Sequence, residues 1–188
     1  MKKGIKFLLL SDTWTTLALG MIGPIYAIFV SEMGGDILDA SWSYFAFMFT
    51  SGFVMYIISH WEDKIKHKEK LVTIGYSLTA LGALSYFFVY NQLTLVITQI
   101  ILGFAEAIQI PAYDALYSNY LNKKKSASEW GDWESMKYMV TALSVIIGGY
   151  IAARLGFKAL FIVMFVISLL SVLTSLNMFR KKKYLNST

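Results

Sequence analysis

Two carboxylates, a glutamine and a proline interrupt an otherwise apolar run that reads GFAEAIQIPAYDALYSNYL, from Gly103 to Leu121. The two acids are Glu106 and Asp114, and Pro111 is one of only two prolines in the chain. An ionisable side chain at bilayer depth costs about 3 kcal/mol by insertion scales, so it usually faces a cavity or a partner and has a function. The stretch therefore predicts chemistry inside a hydrophobic helix.

Glu106 is the deepest of these acids. Glu106 lies about 20 Å along the helix from the Asn91-Gln92 turn, which places its side chain well inside the hydrocarbon region. We expect no Lys or Arg at that depth, and a buried acid without a cation tends to take up a proton. Glu106 is thus a candidate for proton coupling or for binding a cationic group of a substrate. The alternative is a protonated, hydrogen-bonded structural glutamic acid.

Polar residues on this predicted helix recur with a mean spacing of 3.6 residues, which places them on one face. They are Gln99, Gly103, Glu106, Gln109, Tyr113 and Tyr117. The first hydrophobic segment has a comparable stripe, formed by Asp12, Thr15, Thr16, Gly20, Gly23 and Tyr26. The side chains predicted to bind a substrate or protons are Glu106, Asp12, Gln109, Gln99, Tyr113 and Tyr26. Asp12 could instead be an interfacial residue at the start of its helix.

These stripes require helices that cross a membrane. The chain has 188 residues, of which 56% are hydrophobic and 15% charged, whereas soluble domains average about 25% charged. Segments of about 20 apolar residues can span the hydrocarbon core. Six segments of the chain qualify, at residues 6–30, 41–59, 71–90, 93–120, 136–155 and 159–179. The N-terminal segment is expected to be a retained helix rather than a cleaved signal peptide, because it lacks a small-residue cleavage site.

The basic residues predict the orientation of these spans. All Lys and Arg except Arg154 and Lys158 fall at the two termini or in the second and fourth connectors, or at their edges. By the positive-inside rule both termini are then cytoplasmic, as in a protein of the cell membrane. Trp130 and Trp133 are expected at the inner membrane interface. The net charge of +5 is explained by topology and needs no nucleic acid.

The two prolines indicate an internal repeat. GPIYAIF around Pro24 and IPAYDAL around Pro111 share a Pro-x-Tyr pattern and lie three helices apart. The second copy therefore enters the membrane from the opposite side, as in transporters built from inverted repeats. We expect a single domain, 1–188, with repeat one at 1–90 and repeat two at 91–188. Both prolines are predicted to kink their helices, in a moving element or merely for packing.

These features together resemble the major facilitator superfamily. The connector SHWEDKIKHK at residues 59–68 resembles the superfamily's loop signature, LGFAEAIQIPAY at 102–113 its fourth helix, and IIGGYIAARLGFKALF at 146–161 its fifth-to-sixth hairpin. The glycine-rich antiporter element appears at 144–149 without its proline, so antiport is not supported. The resemblance implies an all-α integral membrane fold of six helices, equivalent to one half of a typical member, with its first and fourth helices lining a cavity.

The resemblance also implies a latch at the cytoplasmic gate. In the family a loop aspartate, a loop arginine and a fourth-helix acid form this latch, and Asp63, His67 and Asp114 occupy the corresponding places, with Lys64 beside them. Because histidine replaces arginine, such a latch would titrate near neutral pH.

The predicted function is secondary transport of a small solute, coupled to protons, by a half-size unit. A parallel homodimer, or a different second half, would complete the central cavity in the lipid bilayer. The alternative is a membrane module that does not transport, such as a regulatory or assembly partner or a truncated half. No catalytic, metal or cofactor site is predicted. Both histidines lie in one charged loop, and the chain has no cysteine.

Overall fold

The computed structural model describes residues 3–122 and 124–185, and within those ranges the chain is helical. Its helices are α1 (Lys3–Gly20), α2 (Tyr26–Glu32), α3 (Ile37–Glu62), α4 (Lys68–Ser85), α5 (Gln92–Tyr120), α6 (Ser126–Leu155) and α7 (Phe157–Leu185). Six stretches are long and apolar enough to cross a membrane, and α1 and α2 together form the first of them. The predicted all-α membrane architecture with six spans is confirmed. The outer limits of the predicted repeats, residues 1 and 188, lie outside the described residues.

Local sequence signals set several helix starts. Asp36 caps α3 by accepting hydrogen bonds from the backbone N–H groups of Leu38 and Asp39, and Asn91 caps α5 in the same way through Thr94. In contrast, α6 begins at Ser126, ten residues before the predicted start at residue 136. Most of the predicted fourth connector is therefore helix, and this difference changes the composition of the site.

The two prolines have different local structures. Pro24 lies in the short 3-10 segment Gly23–Ile25, which separates α1 from α2. Pro111 lies inside α5, which continues through it without interruption. Proline has no N–H to donate, so the carbonyl of Ala107 lacks its usual helical partner. The functional role of either proline remains a prediction.

The helix contacts follow a regular pattern. α5 packs between α3 and α4, α1 packs against α6 and α7, and α4 contacts α7. Exchanging the first three spans with the last three maps the α3–α5 contact onto the α6–α1 contact and the α4–α5 contact onto the α7–α1 contact, and it maps the α4–α7 contact onto itself. This pattern is consistent with two inverted three-helix repeats, which remain a prediction.

The first span approaches α6 very closely at Gly148. A Cβ atom on Gly148 would collide with the backbone of Met21, so only glycine allows this contact. At Gly156, which directly follows the last residue of α6, the backbone has φ of +81°, a conformation that favours glycine and links α6 to α7. The small residues of α6 thus set the positions of the first, fifth and sixth spans.

α3 and α6 are the least buried of the six spans. α3 carries an exposed row of stacked rings, in which the Phe45–Phe49 and Phe49–Phe53 centroids lie 5.5 and 5.6 Å apart. α6 exposes Tyr138 and Tyr150 in a similar way. These two helices flank the cavity described next.

Candidate functional site

One cavity of about 670 Å³ lies between the first span and α3, α5 and α6. Its walls are apolar except for a set of polar side chains that extends along its length. That set includes Asp12, Thr15, Thr16, Tyr26, Tyr44, Thr79, Tyr86, Gln99, Glu106, Gln109, Tyr113, Asp114, Trp130, Trp133, Glu134 and Lys137. A volume of this size suits a small organic solute.

Glu106 lies on α5 and is half-buried at the cavity wall. Its Oε2 atom accepts a hydrogen bond of 3.1 Å from the hydroxyl of Ser51 on α3, and Ser51 is itself buried. This is the one hydrogen bond to the Glu106 carboxyl among the described residues. The carboxyl group is therefore held at the wall and still has oxygen lone pairs for a proton or a ligand.

Asp12 lies on α1 and is 7% exposed. Its Oδ2 atom accepts a hydrogen bond of 2.9 Å from the indole N–H of Trp133 on α6. The structure thus places Asp12 in the cavity wall, the first of the two alternatives that the sequence left open. Trp133 was expected at the membrane interface, but it is 8% exposed and packs inside the bundle.

Lys137 on α6 is the one basic residue in the described wall of the cavity. Its Nζ atom lies 3.8 Å from Glu134 Oε1 and 4.3 Å from the ring centroid of Trp133. It is also within electrostatic range of Asp12, Glu106 and Asp114. No ion pair of the described residues joins Lys137 to Glu106, so the expectation that no salt bridge neutralises Glu106 remains a prediction.

The opposite end of the cavity is uncharged. The amide of Gln99 donates a hydrogen bond of 3.1 Å to the Tyr86 hydroxyl, and the Tyr26 and Ser43 hydroxyls lie 2.6 Å apart. Tyr86 and Gln99 are both buried. The cavity therefore has a neutral, hydrogen-bonding end and a charged, aromatic end.

The residues predicted to bind a substrate or protons all line this one cavity: Glu106, Asp12, Gln109, Gln99, Tyr113 and Tyr26. The predicted gate residues are not brought together in the same way. Asp114 lies in the cavity wall, within electrostatic range of Lys137 and Glu134. Asp63, Lys64 and His67 lie in the connector after α3, and no hydrogen bond or ion pair of the described chain joins them to Asp114. The latch remains a prediction.

Besides Tyr44, Thr79 and Tyr86, the polar wall residues outside the predicted site and stripes lie on the first turns of α6. They are Trp130, Trp133, Glu134 and Lys137. Trp130, Trp133 and Lys137 follow steps of three and four residues, and Glu134 lies three residues before Lys137, so the four share one side of the helix. Ser126 and Glu129 have the spacing of a capping box. These two signals could have identified the longer helix and its cavity-facing side.

Within the described ranges, no group of three or more His, Asp or Glu side chains is arranged to hold a metal ion. The family model described as Major Facilitator Superfamily matches residues 8–186, which is almost the whole chain. No curated protein matches the sequence.

Proposed function

The chain belongs to the major facilitator superfamily, and from that premise we propose that it is a proton-coupled secondary transporter that works by alternating access. Members of the superfamily are membrane transporters of small solutes rather than enzymes, so the general assignment follows from the family. The coupling ion, the second half of the transport unit and the site residues are the specific parts of the proposal.

The position of Glu106 is the observation that carries the proposal. This carboxyl group lies in a cavity between membrane-spanning helices, and its single described hydrogen bond comes from Ser51. A carboxyl group at membrane depth that faces a cavity is typical of a proton or substrate site. Glu106 would bind a proton when the cavity is open to one side and release it when the cavity is open to the other.

The charge balance of the cavity supports proton coupling. Four acids in the wall, Asp12, Glu106, Asp114 and Glu134, face the single ammonium group of Lys137. Full ionisation of these groups would leave uncompensated negative charge in a region of low dielectric constant. Protons can neutralise that charge reversibly, which is the requirement for a coupling ion.

A second six-helix unit would complete the cavity. The halves of a full-length member of the family are related by an axis along the membrane normal. α3 and α6 flank the cavity and are the least buried spans, so they are the surfaces that a second unit would cover. We propose a parallel homodimer in the cell membrane, with both termini cytoplasmic. A different second half would fit the same surfaces.

The experiment compares wild-type protein with Glu106→Gln in proteoliposomes that contain a pH-sensitive dye. A panel of small solutes is added, and solute-driven proton flux is measured with the membrane potential clamped. Glu106→Gln should reduce this flux at least tenfold, because an amide cannot take up the proton. The matched control is Asp132→Asn, which neutralises an exposed acid of α6 outside the cavity and should leave the flux unchanged.

The outcome also separates the two functions that the sequence left open. Flux in wild-type protein that survives in Glu106→Gln would contradict the role of Glu106. Solute uptake without proton flux would contradict proton coupling. If no solute moved through wild-type protein, the non-transporting membrane module would replace the transporter.

A further inference from the structure

Aromatic rings line the charged end of the cavity. Tyr113 stacks on Trp133 with 5.4 Å between the ring centroids, and Trp130 contacts Tyr117 and Trp133 at 4.9 and 5.2 Å. The rings come from two helices, α5 and α6. Aromatic faces attract cations through the negative charge of their π-systems.

Carboxyl groups surround the same rings. Trp133 donates its indole N–H to Asp12, and Asp114 and Glu134 lie in the adjoining wall. Aromatic faces together with carboxylates are the chemistry that recognises organic ammonium and related cations. An anion placed here would lie near these carboxyl groups, and Lys137 is the one cation in the described wall.

The protein's own ammonium group shows where a cation is held. Lys137 Nζ lies over the Trp133 ring, 4.3 Å from its centroid, and pairs with Glu134 at 3.8 Å. Its long aliphatic stem is flexible, and the side chain is 37% exposed, so it can leave this position without unfolding α6. The Lys137 ammonium group therefore occupies the position over Trp133 that suits a ligand cation.

Tyr113 belongs to the same aromatic part of the cavity wall. Tyr113 is 2% exposed and lines the cavity with its ring, while its hydroxyl oxygen is buried among protein atoms. The neighbouring indole N–H of Trp133 is already donated to Asp12.

We propose that the aromatic, acidic end of the cavity binds an organic cation, and that Lys137 occupies the site until the cation displaces it. The proposal rests on the proposed function, because it uses the same cavity, and it names the class of solute. Ligand binding and the movement of Lys137 are then coupled, since Lys137 must move away from Trp133 when the cation binds.

The test uses two ions of nearly equal size and opposite charge. Tetraphenylphosphonium and tetraphenylborate are titrated separately into the purified full-length protein by isothermal titration calorimetry. Both ions partition into detergent, so heats of injection into protein-free micelles are subtracted. Saturable binding of the phosphonium, and at least tenfold weaker binding of the borate, is the expected result. Equal affinities would overturn the proposal, because hydrophobicity alone would then explain binding.

Variants of Lys137 test directly whether its ammonium group occupies the cation site. Lys137→Met removes the internal competitor and should tighten phosphonium binding about fivefold or more, the scale of a partly desolvated cation–π contact. Lys137→Arg keeps a cation over the ring and should bind as wild type does. The matched control is Lys158→Met, because Lys158 also lies over an aromatic ring, Phe87 at 5.8 Å, but is outside the cavity wall. Unchanged or weaker phosphonium binding by Lys137→Met would contradict the proposal that Lys137 occupies the cation site.

Binding and transport are measured separately, so their failures can be distinguished. Selective phosphonium binding without any solute-driven flux would contradict the proposed transporter and support the cation site. Proton-coupled flux of a neutral solute, with no phosphonium binding, would contradict the cation site and leave the transporter intact.

Discussion

At the scale of single residues, the contact between Asp12 and Trp133 joins the start of the chain to its fifth span. The carboxyl group is almost fully buried and accepts the indole N–H at 2.9 Å. A buried carboxyl group that loses its donor bears the full cost of desolvation. This hydrogen bond therefore fixes α6 against α1 and orients an acid in the cavity wall at the same time.

Trp133→Phe tests the hydrogen bond because it removes the N–H and keeps an aromatic ring. We expect a loss of about 1–3 kcal/mol in stability, the usual cost of leaving a buried polar group unpaired. Thermal unfolding in detergent micelles measures the loss. Trp130→Phe is the matched control, because its indole has no described hydrogen bond. In an Asp12→Ala background the cost of Trp133→Phe should largely disappear, and an unchanged cost there would contradict the assignment.

At the scale of helices, the close contact between α6 and the first span depends on glycines of both, Gly20 against Ser144 and Gly148 against Met21. Gly148 lies against the backbone of Met21, whereas the next residue, Gly149, has open space where its Cβ would be. Two adjacent glycines of one helix thus differ only in what they face. Small residues allow membrane helices to approach closely, and van der Waals packing then stabilises the contact.

Gly148→Ala should destabilise the protein by about 1–3 kcal/mol, because the added methyl group forces α6 away from Met21. Gly149→Ala should leave stability unchanged or increase it by up to about 1 kcal/mol, because alanine is the better helix former. Thermal unfolding of the two purified variants measures the difference. Equal shifts of the unfolding temperature in the two variants would show that helix propensity alone determines the effect. The close contact with Met21 would then have no measurable role.

The helices explain how far sequence reasoning could go. The six spans follow from hydropathy and were confirmed in the structure. The polar stripes of α1 and α5 follow from the 3.6-residue period, and their members line the cavity except for Gly20, Gly103 and Tyr117. The start of α6 was missed because Lys123–Lys125 and the two tryptophans read as a charged connector with interfacial anchors. Which helix neighbours Glu106 depends on tertiary packing, so the proximity of Lys137 could not be inferred from helical depth alone.

At the scale of the whole molecule, the open side of the cavity decides what a second unit must contact. α3 packs on α5 and α6 packs on α1, so α3 and α6 stand at opposite edges of the cavity. A twofold axis through the cavity would place α3 of one subunit against α6 of the other. Tyr44 and Glu134 in the cavity wall identify the helical faces at these edges.

Cysteine cross-linking tests this arrangement, because the chain has no cysteine of its own. Met48 lies one turn beyond Tyr44, and Val145 lies three turns beyond Glu134 on the same face, at nearly equal depths of about 15–17 Å from the helix ends. A Met48→Cys/Val145→Cys chain should form disulfide-linked dimers in native membranes. Neither single variant should do so, because the contact pairs unlike helices.

Leu169→Cys combined with Met48→Cys is the control for random collisions, since Leu169 lies at a similar depth on α7. Dimers in the control at the same rate would show that the cross-links are nonspecific. If the Met48/Val145 pair formed no dimers, the homodimer would be contradicted and an unlike second half would have to cover α3 and α6.

The late position of α6 in the chain also affects how the protein is made. Asp12, Glu106 and Asp114 leave the ribosome before Trp133 and Lys137, the groups that bind or neutralise them. The first four spans thus enter the bilayer as an unfinished bundle whose acids face a gap, and acids in lipid are costly. Insertion of α6 closes that gap. The fifth span therefore both contributes to the cavity wall and supplies the late contact of Asp12 with Trp133.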